Sequence, residues 1–101
     1  MIVVHGSIVA KPQHAAALLN LCKTHVHRVR TEPGCLANEL HHDTDNPLRL
    51  VFVERWSSKD ALMAHFAQPA SRDFIKRMGA MVAELPSLKM YAAEELTLSV
   101  C

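Results

Sequence analysis

His65 is the side chain whose neighbours most invite chemistry. Leu62, His65 and Phe66 stand at i, i+3 and i+4, so one face of a short helix would carry an imidazole between two apolar groups. An imidazole in an apolar pocket can take or give a proton near neutral pH. The same pattern also describes a core histidine hydrogen-bonded to a backbone carbonyl. A second set of candidates lies on the run from Leu48 to Trp56, where alternation puts Leu48, Leu50, Phe52, Glu54 and Trp56 on one strand face. Trp56, the only tryptophan, either walls a flat aromatic pocket or simply packs at the strand end. An inward Glu54 needs a partner or a cavity, and an ion pair with an arginine or a proton-transfer role would each provide one. Asn38 shares a strand face with Leu36 and Leu40. There it would donate a hydrogen bond to a ligand carbonyl or phenol, or make a sheet-edge contact. Phe74 and Met78 belong to a later apolar stripe. Together with Leu62, His65 and Phe66 they favour an apolar ligand over a phosphorylated one, which would call for inward Arg or Lys.

Seven histidines raise the question of a metal, and their spacing argues against one. His25 and His27 are two apart on a helix and diverge by roughly 200°. His41 and His42 are adjacent on a strand and point to opposite faces. No His-Glu-x-x-His pair or Cys/His grid occurs. Gly6, Gly34 and Gly79 make no phosphate-cradling loop, and no Gly-x-Ser-x-Gly elbow is present. The expectation is a site without metal or cofactor, in which protein and substrate suffice. Cys22, Cys35 and Cys101 are an odd number without CxxC spacing, which argues against a disulfide framework or structural zinc. Cys22 reads as a small core residue and Cys101 as a tail thiol.

The elements that would position these groups can be read in order. Residues 2–9, IVVHGSIV, are β-branched and apolar on both faces, as in a central strand. Pro12 suits the first turn of a helix. From Ala15, the positions Leu18, Leu19, Cys22, Val26 and Val29 recur at helical spacing, leaving Asn20, Lys23, Thr24, Arg28 and Arg30 toward water until Glu32-Pro33-Gly34 ends the helix. Residues 35–42 form a strand, the run from Asp43 to Pro47 a hairpin loop, and Leu48 to Trp56 the return strand. Ser57 with Asp60 starts a short helix broken by Pro69. A further helix carries Phe74, Ile75, Met78, Met81, Val82 and Leu85 as its stripe as far as Pro86, and LKMYAAEELTLSV closes the chain as a strand with a bend near Ala92-Ala93.

Strand, helix, strand, strand, helix pair, strand is the order of an α+β, ferredoxin-like (βαββαβ) fold, an antiparallel sheet with helices on one face. The other face is left bare, and packing it against a second copy in a homodimer is the simple solution. The 101 residues suit a single domain. With 11 Lys plus Arg against 10 Asp plus Glu there is no positive field for nucleic acid or an anionic membrane. Neither a signal peptide nor a membrane span is visible, so the expected location is cytoplasmic.

Glu32-Pro33-Gly34-Cys35, the strand end Val53-Glu54-Arg55-Trp56, and Asp60-Ala61-Leu62 followed by Ala64-His65-Phe66 resemble the EPGC, ExW and ALxxHxxxP pattern of the antibiotic biosynthesis monooxygenase family. Pro69 and Phe74 also fall where that pattern has them, and the resemblance covers nearly the whole chain. It implies the ferredoxin-like fold paired into a dimeric α/β barrel, and a cofactor-independent monooxygenase acting with O2 on a small phenol, quinol or anthrone. His65 would then be the base or the oxyanion partner, Trp56, Phe52 and Phe66 would frame the ring, and Asn38 would orient an oxygen. Many members carry His-Phe after the proline where this chain has Ala70-Ser71, so a second pocket histidine is missing at that place. The haem-degrading branch is disfavoured by three differences. The first strand lacks Asn, His65 occupies the position of that branch's Trp, and Ile75 stands where its haem ligand would be. Two other readings fit the same scaffold: an isomerase of a small carbonyl compound, and a ligand-binding or stress-response dimer without turnover. A core packed solid by Met78, Met81 and Trp56 would favour the last, and an open cavity with His65 on its wall would favour an enzyme.

Overall fold

The computed structural model describes residues 1–99, so the expected tail thiol Cys101 lies outside the described residues. Its elements are strand β1 (Ile2–Val9), helix α1 (Ala15–Val29), strands β2 (Cys35–His42) and β3 (Arg49–Trp56), helices α2 (Lys59–Ala67) and α3 (Pro69–Gly79), and strand β4 (Ser87–Ala92). The strands pair antiparallel in the order β2-β3-β1-β4, which is the ferredoxin-like α+β arrangement. β1, the most uniformly β-branched strand, lies between two neighbours. The helices cover the face bearing Val4, Ile8, Leu50, Phe52 and Trp56. Against it they place Leu18, Cys22, Val26 and Val29 of α1, Leu62 of α2, and Phe74 and Met78 of α3. Leu18, Leu62, Val4 and Val29 are fully buried, and each such aliphatic side chain contributes about 1.5–3 kcal/mol through burial. On the opposite face Val3, Val51 and Val53 are half-buried and His5 and Arg55 exposed. No helix among the described residues is long and apolar enough to cross a membrane.

Several element ends differ from the sequence expectation, each for a local reason. β3 begins at Arg49 because the Leu48 amide is taken by Asn46 Oδ1 in the hairpin loop (3.0 Å). α2 is capped by Ser58, whose Oγ accepts from the Ala61 amide at 3.1 Å, and the expected cap Ser57 instead donates its amide to the Gly34 carbonyl. α3 stops at Gly79, well short of Pro86. Glycine is a poor helix former, and the following backbone extends the pairing of β1: Lys11 N–H donates to Met81, Val82 bridges Ala10, and Ala83 N–H donates to Val9. Leu85 is therefore 92% exposed, and Ile75, within α3 but beside its buried stripe of Ser71, Phe74 and Met78, is 49% exposed. β4 ends at Ala92, with one further bond from Ala93 N–H to the Met1 carbonyl. Residues 93–99 form no further strand, and Leu96 and Leu98 among them are exposed.

The α1–β2 connection is the tightest joint. Gly34 has φ +82°, and a Cβ there would come within 2.5 Å of Ala61 Cβ and 2.8 Å of Ser57 Oγ. Only glycine combines that conformation with so close an approach to the start of α2. Gly34→Ala is expected to lower the unfolding free energy by roughly 2–4 kcal/mol, measured by urea denaturation. An unchanged midpoint would show that the joint relaxes freely.

Candidate active site

β3 supplies the floor of the site. Its alternation turns Phe52, Glu54 and Trp56 toward the helices, and the facing β1 position between Val4 and Ile8 is Gly6, paired with Phe52. The missing side chain leaves room above the sheet. α2 brings His65 and Phe66 over this space, and α3 brings Ser71, Phe74 and Met78. The result is a cavity of about 230 Å³ reaching from Glu54 and His65 to Leu88 of β4. Of the sequence candidates, His65, Glu54, Phe52, Phe66, Phe74 and Met78 all line it.

Two candidates lie elsewhere. Trp56 is fully buried and does not reach the cavity. Its indole stacks behind the His65 imidazole, with ring centroids 4.9 Å apart at 29°, and its Nε1–H donates to Glu54 Oε1 at 2.9 Å. It supports the site from behind and is not a wall. Asn38 is 2% exposed on β2 and lies outside the cavity lining. Its two amide atoms are the buried side-chain polar atoms without a partner among the described residues, while its carbonyl accepts from Arg30 Nε. It stands across the sheet from Glu54, which does line the cavity.

His65 is 5% exposed, and its Nδ1 lies 3.0 Å from Glu32 Oε1. The partner is thus a carboxylate and not the backbone carbonyl of an ordinary core histidine. A carboxylate only accepts, so Nδ1 carries the proton, and in the neutral ring the Nε2 lone pair is left free. Glu32 is held in turn by Arg28, whose Nη1 donates to Oε2 at 2.9 Å, and both carboxylate oxygens are engaged. Arg28 had been expected to face water. Instead its Nη2 also donates to Ser71 Oγ (3.2 Å) and to His25 Nδ1 (3.1 Å). His25 stacks on Phe74 with centroids 3.7 Å apart at 8°, lies 5.8 Å from the His65 ring, and lines the same cavity. Burial, with help from Arg28 and His65, pushes the His25 pKa down to about 3. Among the described residues Glu54 pairs with Trp56 and with no arginine. Burial raises its pKa, opposed by the Trp56 hydrogen bond and the nearby His65.

His25, Arg28, Glu32 and Ser71 were not among the sequence candidates. The signal for the first three is their spacing of three and four, a polar stripe along α1 and its exit beside the apolar one. The sequence pairs His25 only with His27, which is exposed on the other side of the helix. Ser71 follows Ala70, the position at which the second pocket histidine is missing, and it bridges Arg28 to His65 Nδ1 at 3.3 Å.

In this four-stranded α+β domain an imidazole paired with a carboxylate stands beside an apolar cavity, an arrangement that can exchange a proton with a small molecule placed there. The profile of the antibiotic biosynthesis monooxygenases matches residues 1–77, and the chain belongs to that family. It is similar to a Deinococcus radiodurans protein provisionally assigned to the same family, with 27% identity, a TM-score of 0.92 and 99% of each chain covered. A Caulobacter crescentus protein with the same provisional assignment gives 25% identity and a TM-score of 0.87 over 93% of this chain and 90% of that one. An uncharacterized protein of a Synechocystis strain is 30% identical over 94 residues, 93% of this chain. The chain spans 64% of that relative's length.

The lowered His25 pKa has a sign that can be tested. In the unfolded chain His25 titrates near 6.5, whereas in the fold it does so near 3. Between these values the unfolded chain takes up a proton that the folded protein does not. The contribution to stability is therefore complete above about pH 6.5 and lost as pH falls toward 3. Glu54, with its raised pKa, works in the opposite sense, so the comparison to make is wild type against His25→Phe. The variant is expected to lose less stability on acidification, measured by urea unfolding across that range. Parallel pH profiles would show that His25 is not held neutral.

Proposed function

We propose that the protein is a cofactor-independent monooxygenase that oxidises a small aromatic hydroxylated substrate with O2. One observation carries this reading: an imidazole with a carboxylate on Nδ1 stands over an apolar cavity with its Nε2 lone pair free. His65 Nε2 takes the phenolic proton, and Glu32 stabilises the imidazolium that forms. The electron-rich phenolate then reduces O2 itself. Oxygen joins the ring carbon, water leaves, and a ring C–H becomes C=O, so one oxygen atom enters the product and the other departs as water. Phe52, Phe66 and Phe74 hold the ring in a mostly apolar space, where a bare phenolate is a stronger reductant. At about 230 Å³ the cavity is smaller than the ~300–1,000 Å³ of sites for drug-sized ligands. That favours a one- or two-ring quinol over a larger anthrone.

The open cavity with His65 at its wall favours turnover over a purely ligand-carrying role, because Met78 and Trp56 do not fill the space. The reading also includes a homodimer formed through the bare sheet face. The half-buried Val3, Val51 and Val53 on that face support it.

O2 uptake by the purified, metal-stripped protein with a panel of quinols and anthrones tests the activity. Uptake without added cofactor is expected, falling about tenfold or more in His65→Ala. Isomerisation of a small carbonyl compound without O2 uptake would replace the reading. For the dimer, Val53→Glu at the centre of the bare face is expected to give monomers in sedimentation velocity, and an unchanged sedimentation coefficient would move the interface elsewhere.

A further inference from the structure

We propose that His25 is a second catalytic imidazole of this cavity, a neutral donor whose Nε2–H holds the phenolic oxygen from which His65 removes the proton. The inference rests on the phenol-oxidising reading above and adds to it a residue and a division of labour.

The tautomers follow from the hydrogen bonds. A guanidinium can only donate, so the contact from Arg28 Nη2 makes His25 Nδ1 an acceptor and places the ring proton on Nε2. At His65 the carboxylate of Glu32 imposes the reverse, with the proton on Nδ1 and the lone pair on Nε2. Two imidazoles on one cavity thus present opposite faces, one giving a hydrogen bond and one accepting a proton. The Arg28–Glu32 pair sets both, since a single guanidinium caps His25 and braces the carboxylate that orients His65. Neither Nε2 has a hydrogen-bond partner among the described residues. The buried unpaired polar atoms there belong to Asn38, so both nitrogens remain open.

The spacing suits one shared oxygen. An oxygen hydrogen-bonded to an imidazole nitrogen lies roughly 4 Å from the ring centroid, and two centroids 5.8 Å apart can both reach such an atom. The oxygen gives its proton to His65 Nε2 and, as it gains negative charge, the bond from His25 Nε2–H strengthens without transferring its own proton. The ring of His25 is fixed for this by stacking on Phe74. The charged and titratable groups around it are Arg28 on its own helix, His65 on α2, Glu54 on β3 and the Asp73–Arg77 ion pair on α3. Arg28 and His65 both disfavour a proton on His25, which keeps it a neutral donor.

Two readouts test this on the full chain. Imidazole nitrogen NMR should show His25 protonated on Nε2 alone between about pH 5 and 8, and the neutral form of His65, at whatever pH it is populated, protonated on Nδ1. Protonation of His25 on Nδ1, or on both nitrogens at neutral pH, overturns the proposal. The second readout is binding of para-nitrophenol, followed by the visible band of its phenolate. His25→Phe keeps the stacking and removes the donor, so phenolate binding should weaken roughly tenfold or more, while His25→Gln, which retains an N–H, should stay within about threefold of wild type. Wild-type affinity in His25→Phe, equal loss in both variants, or no phenolate binding by wild type would each overturn it. Success in both readouts with no O2 uptake from any quinol would sink the oxygenase reading and leave the donor role of His25 standing.

Discussion

The ion pair between Arg28 and Glu32 is the interaction on which the site depends. It joins the last turn of α1 to the residue that leaves it, one helical turn on, with N and O 2.9 Å apart and the carboxylate side chain 9% exposed. A carboxylate that buried would be costly to ionise alone. With the guanidinium on one oxygen and His65 on the other, both lone-pair directions are used and the charge is stabilised where it is needed. The same guanidinium reaches Ser71 on α3 and His25 on α1. One side chain therefore ties α1 to α3 directly and, through Glu32 and Ser71, to His65 of α2. Replacing it by lysine would keep the charge and lose the fork that makes these contacts at once.

Around this polar knot the structure is organised by flat rings. Trp56 lies behind His65, Phe74 under His25, and Phe52 meets Phe74 edge to face. The imidazoles are thereby fixed in plane as well as in hydrogen bonding, so their orientation does not depend on a ligand. Gly6 completes the arrangement by contributing nothing above the sheet at the point where the two hydrophobic clusters would otherwise merge. One cluster is centred on Leu18, Cys22 and Phe52 and the other on Val4, Trp56 and Leu62. The cavity is the seam between them.

Much of the fold was legible because its signals are local. Alternation in residues 35–42 and in the run to Trp56, the helical stripe from Leu18 to Val29, and Pro69 as a breaker each act within a few residues. What could not be read are the ends set by other parts of the chain. Gly79 ends α3 where the backbone turns aside to pair with Val9 and Ala10, at the far side of the sheet from any local signal. The site divides in the same way. The α2, α3 and β3 residues were visible as inward positions on apolar faces. His25, Arg28 and Glu32 were hidden because they sit at the polar margin of an amphipathic helix, a pattern that an exposed flank would share. Asn38 shows the converse, a residue whose inward direction was legible and whose burial behind the cavity-lining Glu54 was not.

The contact of Gly34 with Ala61 and Ser57 has a consequence for how this protein can change. Glu32 lies two residues before that contact and His65 four residues after Ala61. The acid and base halves of the site are thus clamped to each other through a backbone approach that carries no chemistry. Substitutions at residue 34 and at either half should be epistatic, because a shift of the joint alters the same 3.0 Å separation that a side-chain change alters. Routes to new activity that begin at the joint would retune the base before they touch the cavity. Routes that begin at Gly6 or Ser87 would reshape the cavity and leave the base alone.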